Sequence, residues 1–190
     1  MRIVIDTSIF SNPDTRSEFG DEISPAIESF IAVSLNAGLE IFIPTSIFRE
    51  LSNFASEESM TQIRNVSVIR GPDLLSMQFP AVIFHTFISD IRERINKGLR
   101  IAEEAIESSK TADNIRRIRN EYRSAMRSGI IDSVEDLDVV LLAKEIGGAV
   151  LSADEGISKM ADSLGIEVFS AKDFKNKFSG RENYESGKPE

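Results

Sequence analysis

Apolar and polar positions along this chain fall into blocks that read in turn as strands and helices. Residues 2–6 carry the β-branched run Ile3-Val4-Ile5 and end on Asp6, which predicts a short buried strand followed by Thr7-Ser8 as a turn or helix N-cap. Residues 9–14 contain Asn12-Pro13, a turn signal, and are expected to be irregular. Ser24 as N-cap and Pro25 at the first helical position open a helix to about Asn36, with Ile27, Phe30, Ile31, Val33 and Leu35 apolar and Gly38 as its stop. Residues 39–43 form a second strand closed by Pro44. Thr45 or Ser46 caps the next helix, which carries Ile47, Phe48, Leu51 and Phe54, with Glu50 in its second turn. Residues 66–69 offer a third short strand before Gly71-Pro72.

Between 73 and 128 the strand-like runs stop. Two long helical patterns, at about 81–108 and 111–127, break near Ser108-Ser109 and read as an αα-hairpin inserted into, or projecting from, an α/β body. Ser133-Val134-Glu135-Asp136 has the form of a capping box. It starts a helix through Leu137, Val140, Leu141, Ala143 and Ile146 that stops at Gly147-Gly148, with Asp138 in or just past the first turn. Residues 149–152 read as a strand leading into Ala153-Asp154-Glu155-Gly156, then a helix at 157–164, a last strand at 166–169 and a last helix at 171–178. Strands alternating with helices argue for an α/β fold with a doubly wound parallel sheet. The body is expected at 1–72 and 129–178, the inserted hairpin at 73–128, and a polar, flexible tail at 179–190.

Composition narrows the chemistry. With 190 residues, 41% of them hydrophobic, the chain can bury a sizeable core. It has no cysteine, which excludes disulfides, thiolate nucleophiles and zinc–thiolate sites. His85 is the only histidine and lies in an apolar run at 80–88, where a packed structural role is expected; a Ser–His–Asp triad or multi-histidine metal site has too few members. No apolar run approaches the ~18 residues of a membrane span, and charged Asp6 comes too early for a secretory signal, so a cytoplasmic location is the simplest expectation. Hydrolytic chemistry must therefore come from carboxylates, whose natural cofactor is a hard divalent cation.

The net charge of −9 is unevenly spread. Residues 92–127 hold ten basic side chains against six acidic ones, a surplus of +4 that leaves −13 for the rest of the chain. Arg116, Arg119 and Arg123 recur at spacings of three and four, which places them on one helix face, with Arg117 and Arg127 flanking it. Arginine forks match phosphate geometry; a solvated face or an ion-paired oligomer contact would look the same in sequence.

Three aspartates stand at corresponding places. Asp6 ends one strand, Asp154 follows another, and Asp138 lies near the start of the helix feeding the second. If those strands are neighbours, the three carboxylates share one crevice and repel unless a cation such as Mg²⁺ or Mn²⁺ neutralises them. Three independent helix caps would give the same pattern.

Ile3-Val4-Ile5-Asp6-Thr7-Ser8, Ile43-Pro44-Thr45-Ser46 with Glu50-Leu51, Asp138 before Val139-Val140-Leu141-Leu142-Ala143, and Leu151-Ser152-Ala153-Asp154 resemble, in order, the four motifs of the PIN-domain nucleases. The resemblance implies a doubly wound α/β/α fold and metal-dependent RNA hydrolysis by Asp6, Glu50, Asp138 and Asp154. A closer resemblance is carried by Asp6 through Asp14 with Phe19-Gly20, the long helical insertion, Asp136-Leu137-Asp138 and Ser152-Ala153-Asp154-Glu155-Gly156-Ile157. These are similar to the minimal protein-only RNase P family (HARP), also described as an RNA ligase partner family. That resemblance implies removal of the 5′ leader of precursor tRNA. It also implies a homo-oligomer of dimers assembled into a larger ring or star, whose hairpins hold the tRNA. In this reading Asp6, Asp138 and Asp154 hold Mg²⁺ or Mn²⁺, Asp136 and Glu50 place water, and the arginines of 116–127 bind phosphates. A toxin-type PIN ribonuclease and a non-catalytic PIN scaffold that binds RNA or an RNA ligase are the alternatives.

Overall fold

The N-terminal strand sits at the centre of the sheet. The structure is a computed structural model that describes residues 1–107, 111–127, 131 and 133–179. Its strands are β1 (Arg2–Ile5), β2 (Glu40–Ile43), β3 (Ser67–Ile69), β4 (Ala149–Leu151) and β5 (Val168–Phe169). They form one sheet in the order β3-β2-β1-β4-β5, every pairing parallel. In register, Val4 faces Phe42 on one side and Val150 on the other. Strands buried on both faces read as continuous apolar runs, and Ile3, Val4 and Ile5 are fully buried. Strand order turns round between β1 and β4, because the chain winds outward through β2 and β3 and then crosses back to β4 and β5. The sheet is doubly wound, as the alternation of elements predicted.

The helices are α1 (Ser8–Ser11), α2 (Pro13–Arg16), α3 (Ile23–Asn36), α4 (Thr45–Leu51), α5 (Glu57–Val66), α6 (Ala81–Glu107), α7 (Ala112–Arg127), α8 (Val134–Ile146), α9 (Glu155–Ser163) and α10 (Ala171–Phe178). Right-handed crossovers put α3 and α5 on one face of the sheet and α8 and α9 on the other. An aromatic cluster binds the first layer together. Phe30 of α3 meets Phe10 of α1 at 5.7 Å, Phe19 at 5.8 Å and Phe174 of α10 at 5.6 Å between ring centroids. Such pairs contribute about 0.5–1.5 kcal/mol each beyond burial, and they fix α1 immediately after Asp6. On the other face α8 buries Val139, Val140, Leu142, Ala143 and Ile146. It ends where Gly147 adopts φ +60°, a left-handed C-cap that glycine adopts without strain.

Several local expectations are corrected. The segment at 9–14 holds the end of α1 and the start of α2 on either side of an extended Asn12, an N-cap of α2 whose side chain accepts from the Asp14 amide, with Pro13 in the first helical position. The helix expected to start at Ser24-Pro25 begins at Ile23 with Glu22 as N-cap. Pro25 is tolerated there because first-turn amides have no intrahelical acceptor. Neither Thr45 nor Ser46 caps α4; Pro44 occupies that position. Residues 57–65, for which the sequence pattern predicts no element, form α5 together with Val66, expected in the third strand, behind the Ser56 cap, whose hydroxyl accepts from the Ser59 amide.

Between β3 and α8 the described residues hold no strand. The helices α6 and α7 pack on each other so closely that a Cβ at Gly98 would lie 2.9 Å from Met126 Cε and 3.0 Å from Tyr122 Cε2. Their exposed apolar residues include Val82, Phe84, Phe87 and Ile88 of α6. His85, expected to be packed, is exposed on this helix, because Ile83 is the residue of the run that packs against the core while its neighbours Val82, Phe84, Phe87 and Ile88 stay exposed. The break at Ser108-Ser109, Lys110 and the tail at 180–190 lie outside the described residues.

Candidate active site

Parallel strands bring their carboxyl ends to one edge, and the crevice beside the reversal point is where open α/β sheets bind ligands. Here that point lies between β1 and β4, which are direct neighbours. Asp6 follows β1 and its amide donates to Leu151 O of β4 at 3.1 Å. The strands that carry Asp6 and Asp154 are thus adjacent, the condition for the two acids to share a crevice.

Asp6 is 2% exposed. The Ser8 hydroxyl donates to its Oδ2 at 2.5 Å, the Ser8 amide at 3.3 Å and the Ser152 hydroxyl at 2.8 Å. Hydrogen bonds to a charged group contribute about 1.5–3 kcal/mol each, and they favour the carboxylate. Burial opposes them and wins, pushing the Asp6 carboxyl above its ordinary value despite the donors. A buried, titratable acid at a strand end is a functional-site signature with a physical cause.

The same hydroxyls join the strand ends. Ser8 Oγ accepts from the Ala153 amide at 2.9 Å and lies 3.4 Å from Ser152 Oγ. Ser152 Oγ accepts in turn from the Asp154 amide at 3.0 Å. Asp154 is exposed and caps α9, with Oδ1 accepting from the Gly156 amide at 2.7 Å and the Ile157 amide at 2.9 Å. For this residue the cap reading is correct as far as Oδ1 is concerned.

Asp138 is half-buried in α8. Its Oδ2 accepts a 2.6 Å hydrogen bond from Ser46 Oγ, 92 positions away on α4. Glu50 is exposed and stands four residues beyond Ser46, hence one turn along the same face of α4. Asp136 is half-buried at the third position of α8, where its amide donates to the Ser133 cap at 3.0 Å. Asp136 and Asp138 are separated by Leu137 alone, which places them roughly 200° apart around the helix. Among the described residues, no three or more Asp, Glu, His or Cys side chains lie close enough to hold a metal ion by themselves.

Ser8, Ser46 and Ser152 are site residues that the sequence pattern does not single out. Their only signal is position: each follows a strand end and precedes or begins a helix, where serine is ordinary capping chemistry.

On α7, Arg116, Arg117, Arg119 and Arg123 are exposed. Arg117 pairs with Glu121 at 2.9 Å across one turn. Arg127 is the last residue of α7.

The sequence profile of the family described as PINc domain ribonuclease matches residues 2–181. The chain is 41% identical over 180 residues to the RNA-free ribonuclease P of Thermodesulfovibrio yellowstonii, covering 92% of each. It is 40% identical over 187 residues to the protein of that name from Pyrococcus horikoshii, covering 94% of this chain and 92% of the other. For the Halorhodospira halophila protein of the same name the identity is 40% over 173 residues, 88% of this chain and 84% of the other. With the parallel sheet and the acid at its switch point, these matches settle the family: the chain belongs to the PINc-domain ribonucleases, among the RNA-free ribonuclease P proteins.

Proposed function

We propose that this protein is an endoribonuclease that removes the 5′ leader of precursor tRNA, with Mg²⁺ or Mn²⁺ held at Asp6, Asp138 and Asp154. The observation that carries the site assignment is Asp6: a nearly inaccessible carboxylate at the switch point, held by two serine hydroxyls on one oxygen. The relatives' shared name supports the substrate.

The donor set suits a hard cation. It consists of carboxylate oxygens with hydroxyls behind them, without nitrogen or sulfur. The serine donors on Asp6 and Asp138 gather on Oδ2 and the amides on Asp154 on Oδ1, and Mg²⁺ keeps several waters rather than demanding an all-protein cage. When bound, the cation lowers the pKa of water and offsets negative charge on the phosphate. The chain's own part is to orient the acids and the nucleophile. Ser8, Ser152 and Ser46 fix the carboxylates, and Glu50 and Asp136 place water. Water oxygen adds to phosphorus and gives up a proton, the bond to the leader's 3′-oxygen breaks and that oxygen takes up a proton, and the mature tRNA keeps its 5′-phosphate.

Arg116, Arg117, Arg119, Arg123 and Arg127 bind phosphates away from the cut, fixing register without reading sequence. The protein acts as a homo-oligomer, dimers assembling into a larger ring or star, and the exposed Val82, Phe84, Phe87 and Ile88 support such contacts. The cytoplasm is its compartment. No helix among the described residues is long and apolar enough to cross a membrane.

The test is incubation of the purified protein with 5′-labelled precursor tRNA, with Mg²⁺ and with EDTA. A single metal-dependent cut at the mature 5′ end is expected. Cuts elsewhere in the RNA point to a toxin-type ribonuclease, and tRNA binding without cleavage to a scaffold.

A further inference from the structure

Each aspartate of the crevice has one oxygen taken by donors of the chain. For Asp6 it is Oδ2, held by the Ser8 and Ser152 hydroxyls. For Asp138 it is Oδ2, held by Ser46. For Asp154 it is Oδ1, held by the Gly156 and Ile157 amides. The other oxygen of each accepts none of these bonds. The three hydroxyl donors follow β1, β2 and β4, adjacent strands whose ends line the crevice.

Ser46 is the most telling of them. It lies in the first turn of α4, where a serine ordinarily serves the helix, but Pro44 is the N-cap and no side chain caps that end. Its hydroxyl instead reaches Asp138, at a length typical of an O–H donor on a carboxylate. The helix gains nothing local from that bond. It restricts how Asp138 can turn.

The restriction has a consequence for cation choice. Ca²⁺ takes six to eight oxygens at about 2.3–2.6 Å, commonly with carboxylates binding through both oxygens, whereas Mg²⁺ takes six at about 2.0–2.1 Å and prefers one oxygen from each acid. Resting on the reading that these acids hold a divalent cation, we propose that the serine donors set its identity. By occupying one oxygen of Asp6 and one of Asp138, as the α9 amides do for Asp154, they enforce one-oxygen ligation, which favours Mg²⁺ and Mn²⁺ over Ca²⁺. Ser46 is accordingly a positioning residue that acts through Asp138.

The experiment is calorimetric titration of the full chain, stripped with EDTA and without RNA, with MnCl₂ and separately with CaCl₂. Wild type is expected to bind Mn²⁺ more tightly than Ca²⁺. In Ser46→Ala, Mn²⁺ affinity falls by about 10–100-fold, the usual effect of losing an outer partner of a metal ligand. Ca²⁺ affinity falls less or rises, so the preference shrinks, and Ser46→Thr, which restores the hydroxyl, recovers it. A thermal melt accompanies each variant; if Ser46→Ala melts early, Ser8→Ala reads the same preference through Asp6. An unchanged Mn²⁺/Ca²⁺ ratio in well-folded variants overturns the role of the serines while leaving the metal site standing. Absence of binding by wild type to either cation overturns the metal reading itself, and this inference with it.

Discussion

The crevice and the arginine face of α7 are built on opposite principles. Asp6 is 2% exposed and takes a hydrogen bond from Ser152, 146 positions away; Asp138 takes one from a serine 92 positions away. Arg116, Arg119 and Arg123 are exposed, and Arg117 pairs with Glu121 only one turn off, in a surface ion pair of a kind that contributes about 0–1 kcal/mol. The crevice is held by contacts that only the finished fold can supply. The arginine face needs only a helix. If the proposed roles hold, the division suits them: bond cleavage depends on fixed geometry, while phosphate binding tolerates exposed side chains because charge acts over a Debye length of about 8–10 Å.

The sharpest way to break the comparison is Asp6→Asn. Cleavage of precursor tRNA should fall more than about 100-fold, beyond the usual effect of losing an outer-shell partner, with tRNA affinity nearly unchanged in a filter-binding assay. Substantial cleavage by a folded Asp6→Asn protein would remove Asp6 from the chemistry. Next in size is charge reversal at Arg116, Arg119 and Arg123. Binding should weaken and the slope of log K against log salt should flatten by about 0.7–0.9 for each phosphate that is no longer neutralised. Melting temperature should hardly move. Unchanged affinity and slope would take the α7 face out of the RNA interface.

The smallest effect concerns stability and pH, measured in EDTA. Burial raises the folded-state pKa of Asp6 above its ordinary value. Stability from such a group is fully present below the unfolded-state pKa and is lost as pH rises through the folded one. Asparagine has no charge to bury. Asp6→Asn should therefore melt higher than wild type at neutral pH, by about 2–4 °C per kcal/mol of relieved strain. The gap should widen as pH rises above the ordinary carboxylate range. A gap independent of pH would mean that the hydroxyl donors, not the buried charge, dominate at this position.

The motif acids were legible in sequence because each sits at a break between periodic patterns: Asp6 after Ile3-Val4-Ile5, Asp154 after Ala149-Val150-Leu151-Ser152, Asp138 inside a capped helix. The arginine row was legible because helical spacing is local. The serines were not. Ser46 looked like a cap for its own helix and proved to serve Asp138 on another. Asn12-Pro13 looked like a turn and proved to be an N-cap with proline behind it. His85 looked buried because its neighbours are apolar, yet α6 leaves it exposed.

By itself, then, the sequence determined the order of elements, the absence of thiol and multi-histidine chemistry, the acids available for hydrolysis and the basic surplus of the helical segment. All of these are properties of composition or of short-range periodicity. Tertiary structure alone decided that β1 lies between β2 and β4, and that Asp6 is buried where Asp154 is exposed. It also decided that serines after three strands converge on two of the acids. The reason is physical: helix period and strand alternation are set by neighbours a few residues apart, whereas burial and hydrogen-bond partnership across 92 or 146 positions depend on how the sheet is wound.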